Sequence, residues 1–288
     1  MELGEVYDYE KAKLLSLIPP IKRARGNRLY DYRGNRYLDC YRDGGHSILG
    51  HRAGELNKVL KNMLSKGLVV ELPSIYSERC KKALRKLFPG YSFLLTRNFE
   101  AAMRALPNIL SGKRRFVIFD PLTERVVARI DGEREEGETK LFIWRPFTDK
   151  VLYGKNDILL PILPFSLSNS PFVVCFPFEV DTSVTVEDGV ASPMLLAGFT
   201  RAIYDLIKAE YPNWIEEKFP GSFPLWKRHG PYMIYTGRRE DYESLFKGFV
   251  ERGIIVSPSV EEPSIIPFEL SDGEYKKLLR AFLMDSGF

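Results

Sequence analysis

Gly26-Asn27-Arg28-Leu29-Tyr30-Asp31-Tyr32-Arg33-Gly34-Asn35-Arg36-Tyr37-Leu38-Asp39 is the stretch whose reading decides the fold. Two strand-like runs, Arg28 to Tyr32 and Arg36 to Cys40, flank Arg33-Gly34-Asn35. A glycine-containing tight turn between alternating runs predicts a hairpin. Leu49-Gly50-His51-Arg52 follows. A helix is then predicted from Gly54 to Lys66, with Leu56, Val59, Leu60, Met63 and Leu64 on one face and Gly67 as its stop. Upstream, Tyr9 to Leu17 reads as a helix halted by Pro19-Pro20.

Downstream, Ser77 to Leu87 reads as a helix capped by Ser77 and ended by Pro89-Gly90. Tyr91 to Thr96 reads as a buried strand and Glu100 to Leu110 as a helix, which together begin an α/β unit. The pattern then changes. Phe116–Phe119, Arg125–Ile130, Lys140–Trp144, Ile158–Leu163 and Phe172–Phe176 all read as strands. The first connectors, Asp120 to Glu124 and Asp131 to Thr139, are shorter than the dozen or more residues of a parallel crossover. Hairpins are therefore expected between Arg114 and Val180. From Pro193 to Glu210 the helical period returns, with Met194, Leu195, Phe199, Ile203 and Leu206 on one face. Strands at Tyr232–Thr236 and Ile254–Ser257, and helices at Arg239–Arg252 and Asp272–Met284, complete an α+β tail. The expected organisation is residues 1–75 as hairpin and helix, 76–191 as a reduced larger domain, and 192–288 as a smaller one.

The hairpin segment resembles the G-x-x-L-x-D-x-x-G-x-x-Y-L-D entry of the class III pyridoxal-phosphate-dependent aminotransferases. Leu49-Gly50-His51 resembles that family's L-G-H. Two further matches keep the same order. Phe93-Leu94-Leu95-Thr96-Arg97-Asn98-Phe99-Glu100-Ala101-Ala102 stands where the family has its phosphate-binding turn, F-x-N-S-G-S-E-A. Arg252-Gly253-Ile254-Ile255-Val256 is similar to its C-terminal R-G-V-L-V strand. The resemblance covers residues 24–110 and 190–288. It implies an α/β, aspartate-aminotransferase-like fold with a trimmed large domain, and usually a homodimer. It speaks for fold, which alone does not settle activity.

In such an enzyme a lysine amine forms a Schiff base with the cofactor. A carboxylate holds the pyridine nitrogen, small residues at a helix N-terminus cradle the phosphate, and an arginine pairs with the substrate carboxylate. Here Phe178-Glu179-Val180 is the best match to the strand before the lysine, and no lysine lies between Lys155 and Lys208. Asp181 to Val190 is too short to hold the missing loops. The ring-nitrogen carboxylate would fall at Phe178 and the substrate arginine near Ile265. Arg97, Asn98, Phe99 and Glu100 form a remnant phosphate turn, with bulk in place of Ser-Gly-Ser and Asn98 as a residue that tolerates the left-handed conformation. These departures predict no catalytic residues, no cofactor and no transamination, leaving a binding or assembly role. Two alternatives are an active enzyme with a displaced lysine, Lys155, and a cofactor-independent enzyme reusing Arg97, Asn98, Glu100 and Glu179.

The rest of the sequence excludes other classes. A net charge of +4 is small for 288 residues, and the basic doublets are dispersed among acids, unlike the concentrated patch of a nucleic-acid binder. No apolar run is long enough for a membrane span, and the acidic start is unlike a secretory signal. Three scattered cysteines make no disulfide framework, which fits the cytoplasm. Cys40, His46 and His51 lack the paired spacing of a zinc site, so no metal is expected. Glutamine is absent while charge is abundant, a trend of heat-adapted proteins. Tyr30, Tyr32, Tyr37 and Tyr41 supply side chains that interfaces favour, so a homodimer is expected.

Overall fold

The computed structural model describes residues 3–51, 55–110, 115–130, 138–167, 170–180 and 191–283. Helix α1 (Leu3–Leu15) and strand β1 (Ile21–Arg25) lead into the expected hairpin of β2 (Arg28–Asp31) and β3 (Arg36–Asp39). Its turn is organised by Asp31, whose carboxylate accepts from the Asn35 backbone and side-chain amides, both at 2.8 Å, and from the Tyr37 hydroxyl at 3.2 Å. Strand β1 was not foreseen: Ile21-Lys22-Arg23-Ala24-Arg25 is largely exposed and charged, so it carries no alternating apolar signal.

The chain divides into two compact units. One comprises Met1–Arg52, Phe147–Asp149 and Glu210–Phe288, the other Ala53–Pro146 and Lys150–Ala209. In the first unit, β13 (Ile254–Ile255) pairs parallel with β3, Ile254 opposite Leu38 and Ile255 opposite Asp39. The N- and C-terminal motifs are therefore adjacent strands of one sheet, β1-β2-β3-β13. Gly253, at φ +67°, turns the chain from α7 (Tyr242–Glu251) into β13. A Cβ there would stand 2.9 Å from the Lys277 ammonium and 3.2 Å from the Arg36 carbonyl, so the position favours glycine twice over.

A second sheet, β10 (Ser222–Phe223), β11 (Trp226–His229), β12 (Tyr232–Tyr235) and β14 (Ser264–Ile265), is antiparallel throughout. It shares the core with α7 and α8 (Asp272–Leu283). Trp226 sits at the centre, with ring centroids of Tyr235, Phe249 and Phe282 at 5.4, 5.9 and 5.1 Å in edge-on contact, the arrangement aromatic quadrupoles favour. Arg28 clamps the hairpin to α8 through two 2.6 Å bonds to Glu274.

The second unit holds α2 (Leu56–Ser65), α3 (Ile75–Leu87), α4 (Phe99–Ile109), α5 (Pro193–Lys208) and a six-stranded sheet. Packing thus groups α2 and α5 with the central stretch. Helix α3 starts at Ile75 behind Ser74, not at Ser77, whose N–H instead bonds the Ser74 carbonyl. On α2 only Met63 is buried, and Leu64 is exposed. Helix α5 is buried along Leu196, Phe199, Ala202, Ile203 and Leu206. Gly198 lets it approach Phe165 and Leu60, where a Cβ would meet atoms at 2.8 and 2.9 Å.

The sheet order is β4-β9-β8-β7-β5-β6, for β4 (Ser92–Thr96), β5 (Arg115–Asp120), β6 (Arg125–Ile130), β7 (Glu138–Trp144), β8 (Ile158–Pro161) and β9 (Phe172–Phe176). The expected mostly antiparallel middle needs correction. β5/β6 and β8/β9 are antiparallel, but β5/β7 and β7/β8 are parallel. Two features explain it. β6 returns the chain along the sheet edge, so β7 re-enters beside β5 in the same direction. Arg145 to Asp157, with a short 3-10 turn at Lys150–Leu152, then supplies a connector long enough for a crossover from β7 to β8.

The Glu274 clamp gives a measurable acid dependence. Burial alone would raise this carboxyl, but the Arg28 guanidinium and the Ser271 N–H and hydroxyl outweigh it and hold the pKa at about 2. A carboxylate depressed from 4.5 stabilises the fold above that pH, and loses its contribution as pH falls towards about 2. At roughly 1.4 kcal/mol per unit, Glu274→Gln is expected to cost about 3 kcal/mol at pH 7, and the gap to the parent should narrow below pH about 4.5. Urea unfolding at several pH values measures it; a gap that stays constant down to pH about 2 would refute the assignment.

Candidate active-site edge

Strand direction decides which residues can meet. β9 runs against both of its neighbours, β4 and β8, so β4 points the same way as β8, β7 and β5. The carboxyl ends of these four strands therefore lie along one edge of the sheet, where ligands bind in open α/β folds. Thr96, Pro161, Trp144 and Asp120 are their last residues.

The turn Arg97 to Glu100, expected to be a remnant phosphate turn, stands at this edge. Thr96 donates its hydroxyl to the Asn98 carbonyl at 2.7 Å, and Asn98 caps α4 by accepting the Ala101 N–H at 2.9 Å. Asn98 is extended, at φ −160°, and not in the left-handed conformation entertained for it. Phe99 packs edge-on against Phe172, the first residue of β9, at 5.2 Å. Arg97 reaches the Glu71 carboxylate at 3.8 Å, and its Nε is buried without a hydrogen-bond partner. Glu100 is exposed in the first turn of α4, where a negative charge suits the helix dipole.

A pair that sequence reasoning missed sits further along. Asp120, ending β5, and Arg145, following β7, form a buried ion pair, with the guanidinium Nε and an Nη at 3.2 and 2.9 Å from one carboxylate oxygen. The other oxygen accepts the Leu122 N–H at 3.0 Å. The signal was present: each charge directly follows a run of apolar strand residues, Phe116 to Phe119 and Leu141 to Trp144. Past β8 the chain continues as Ile162-Leu163-Pro164-Phe165, with Leu163 and Phe165 buried.

The other candidates do not join this group. Phe178 and Glu179 follow the end of β9, which the register Ser92↔Phe176 puts beside the start of β4, at the opposite edge. Glu179 cannot act with Arg97, Asn98 and Glu100 there. Lys155 is exposed on a turn ahead of β8, also away from the carboxyl ends, where the Gly154 N–H bonds Asp157 at 2.7 Å. Asp181 to Val190 lies outside the described residues. Ile265 is buried in β14, its N–H bonded to the Cys40 carbonyl.

In the first unit the motif residues Asp39 and His51 meet at 2.7 Å. Asp39 is buried, and also accepts the N–H groups of Tyr41 and Arg42, each at 3.0 Å. Burial opposes its charge, but the His51 bond and the Arg42 charge and N–H outweigh that and hold its pKa below the usual range. The turn it anchors is unusual: Arg42 and Asp43 have φ of 53° and 49°, a conformation side chains rarely adopt. Arg42 is fully buried and donates to Asn27 Oδ1 at 2.5 Å and the Ser47 carbonyl at 3.2 Å. Cys40 lies wholly in the core. No group of three or more His, Cys, Asp or Glu residues suited to a metal converges among the described residues.

No family model matches the chain. Over most of its length it is similar to an uncharacterised protein of Borreliella burgdorferi, 27% identical over 277 residues, covering 92% of this chain and 91% of that one. It is 33% identical over 88 residues to the glutamate-1-semialdehyde 2,1-aminomutase of Heliobacterium modesticaldum, a match covering 30% of this chain and 20% of that enzyme. A solved glutamate-1-semialdehyde aminomutase from Pseudomonas aeruginosa superposes with a TM-score of 0.65 at 11% identity, covering 97% of this chain and 93% of that one. The fold is that of the aspartate-aminotransferase-like, pyridoxal-phosphate-dependent transferases. The 88-residue similarity to the aminomutase agrees with the class III resemblance of the hairpin segment.

The described residues at the carboxyl edge do not fit that cofactor. The Ala101 N–H, a donor an incoming phosphate would use, is held by Asn98. Phe99 brings a ring to the turn, and the Asp120 carboxylate is taken by Arg145. Arg145→Met is expected to cost about 3–5 kcal/mol by leaving Asp120 charged and buried, with part recovered in the Arg145→Met/Asp120→Asn double variant. Urea unfolding compares them; equal losses in both would show that the charge is not the cause.

Proposed function

We propose that this chain keeps the transferase fold without transaminating, and acts as a cytoplasmic binding or assembly protein. One observation carries the reading: none of the described residues where β4, β8, β7 and β5 end is a lysine, and the sequence has none from Asn156 to Ile207. A Schiff base requires that amine. Lys155, the displaced candidate, lies at the wrong end of β8 to replace it. The engaged Asp120 and the self-capped α4 support the same reading. The three cysteines are free and buried, in keeping with a reducing compartment. Among the described residues no helix is long and apolar enough to cross a membrane.

The purified protein, incubated with pyridoxal phosphate, reduced with borohydride and digested, is expected to yield no modified lysine peptide by mass spectrometry. A phosphopyridoxyl adduct mapped to any single lysine would sink the proposal.

We further propose a homodimer. Of the tyrosines first expected there, Tyr37 is buried and Tyr32 is 80% exposed. Further support comes from the stretch running from the end of α2 to the start of α3, where Leu64, Val70 and Ile75 are 55, 57 and 63% exposed, with Val69 and Leu72 beside them in sequence. Exposed apolar side chains grouped in this way call for a partner, and two-fold pairing is the commonest arrangement. Light scattering at micromolar concentration is expected to give twice 33.2 kDa. The mass of one chain, unchanged on concentration, would reject it.

A further inference from the structure

A concavity of about 630 Å³ lies in the first unit, between the end of α7, the turn before β3 and α8. Its walls carry Arg36, Lys247, Arg252 and Lys277 against a single carboxylate, Glu251. Glu274 offsets them only in part: Arg28 bonds both its oxygens, Arg36 stands 3.9 Å from one of them, and the Glu274 charge acts against the lowering at Lys277 without reversing it. Lys247 makes no ion pair among the described residues. The Lys277 ammonium meets the Gly253 carbonyl at 3.3 Å, and burial together with the Arg36 charge pushes its pKa down. An anion placed here would relieve that repulsion. Positive side chains at the end of α7 also suit the helix dipole, which accounts for Arg252 and Lys247. It does not account for Arg36 and Lys277, which come from β3 and α8.

We propose that this concavity binds a small phosphorylated molecule. Its phosphate would face the four bases, since arginine forks and lysine point charges both suit phosphate oxygens. Its carbon skeleton would lie on the apolar wall of Leu17, Pro19 and Val250. The volume is within the range of roughly 300–1,000 Å³ that holds small ligands, and leaves room beyond one phosphate group. The inference does not rest on whether the chain transaminates.

Calorimetry on the full chain at low ionic strength tests it, with inorganic pyrophosphate, ADP and a short single-stranded oligonucleotide as probes. Pyrophosphate and ADP are expected to saturate one site per chain. Lys247→Met, a change at an exposed position, should weaken both by about tenfold. Lys277→Met should do the same, whereas Lys61→Met, on α2 in the other unit, should leave binding unchanged. If Lys277→Met fails to fold, Lys247→Met decides. Three outcomes would overturn the proposal: no saturable heat from either small anion, equal weakening by Lys61→Met, or an oligonucleotide that binds more tightly than ADP and ignores Lys247→Met.

Discussion

One strand running against its neighbours organises the larger sheet. Because β9 is antiparallel to both β4 and β8, β4 shares its direction with the parallel strands beyond. That brings the turn before α4 to the same edge as the ends of β8, β7 and β5. The same reversal carries Phe178 and Glu179 to the other edge. A register of five paired residues thus determines which polar groups can share a ligand, before any side chain is considered.

The sequence was most legible where a local signal and a tertiary requirement agree. The hairpin was readable because Asp31, Asn35 and Gly34 close its turn within a few residues. Helices α4, α5, α7 and α8 were readable because each buries one face at the helical period. Strand β1 was not, because it is an exposed edge. Strand direction was not, because Arg125 to Ile130 reads the same whether it pairs with one neighbour or lets the next strand pass on the far side of β5. The candidate site suffered for this reason. Arg97 to Glu100 are contiguous in sequence and fall together in any fold, but the register that excludes Glu179 and the Asp120–Arg145 contact across 25 positions are long-range facts.

The smaller unit shows how two distant motifs become one structure. Asp39 accepts three hydrogen-bonding partners from a buried position, and its backbone lies beside Ile255 in a parallel pair. The Tyr-Leu-Asp, the Gly-His and the Arg-Gly-Ile-Ile stretches are thereby parts of one packed element. Their order can persist without catalysis, because each serves the fold: Asp39 anchors an unfavourable turn, His51 bonds that carboxylate, and Gly253 occupies a position that a Cβ would crowd.

The pair formed by Asp120 and Arg145 constrains how this chain can change over generations. Either residue replaced alone leaves its partner charged in a place from which water is excluded, and selection against unfolding would remove most such intermediates before a second substitution arrived. The two positions are tied, then, as a unit of inheritance. A lysine introduced at the sheet edge would find the Asp120 carboxylate already held by Arg145. Freeing that carboxylate takes coordinated replacement of both positions, which few lineages would survive one step at a time.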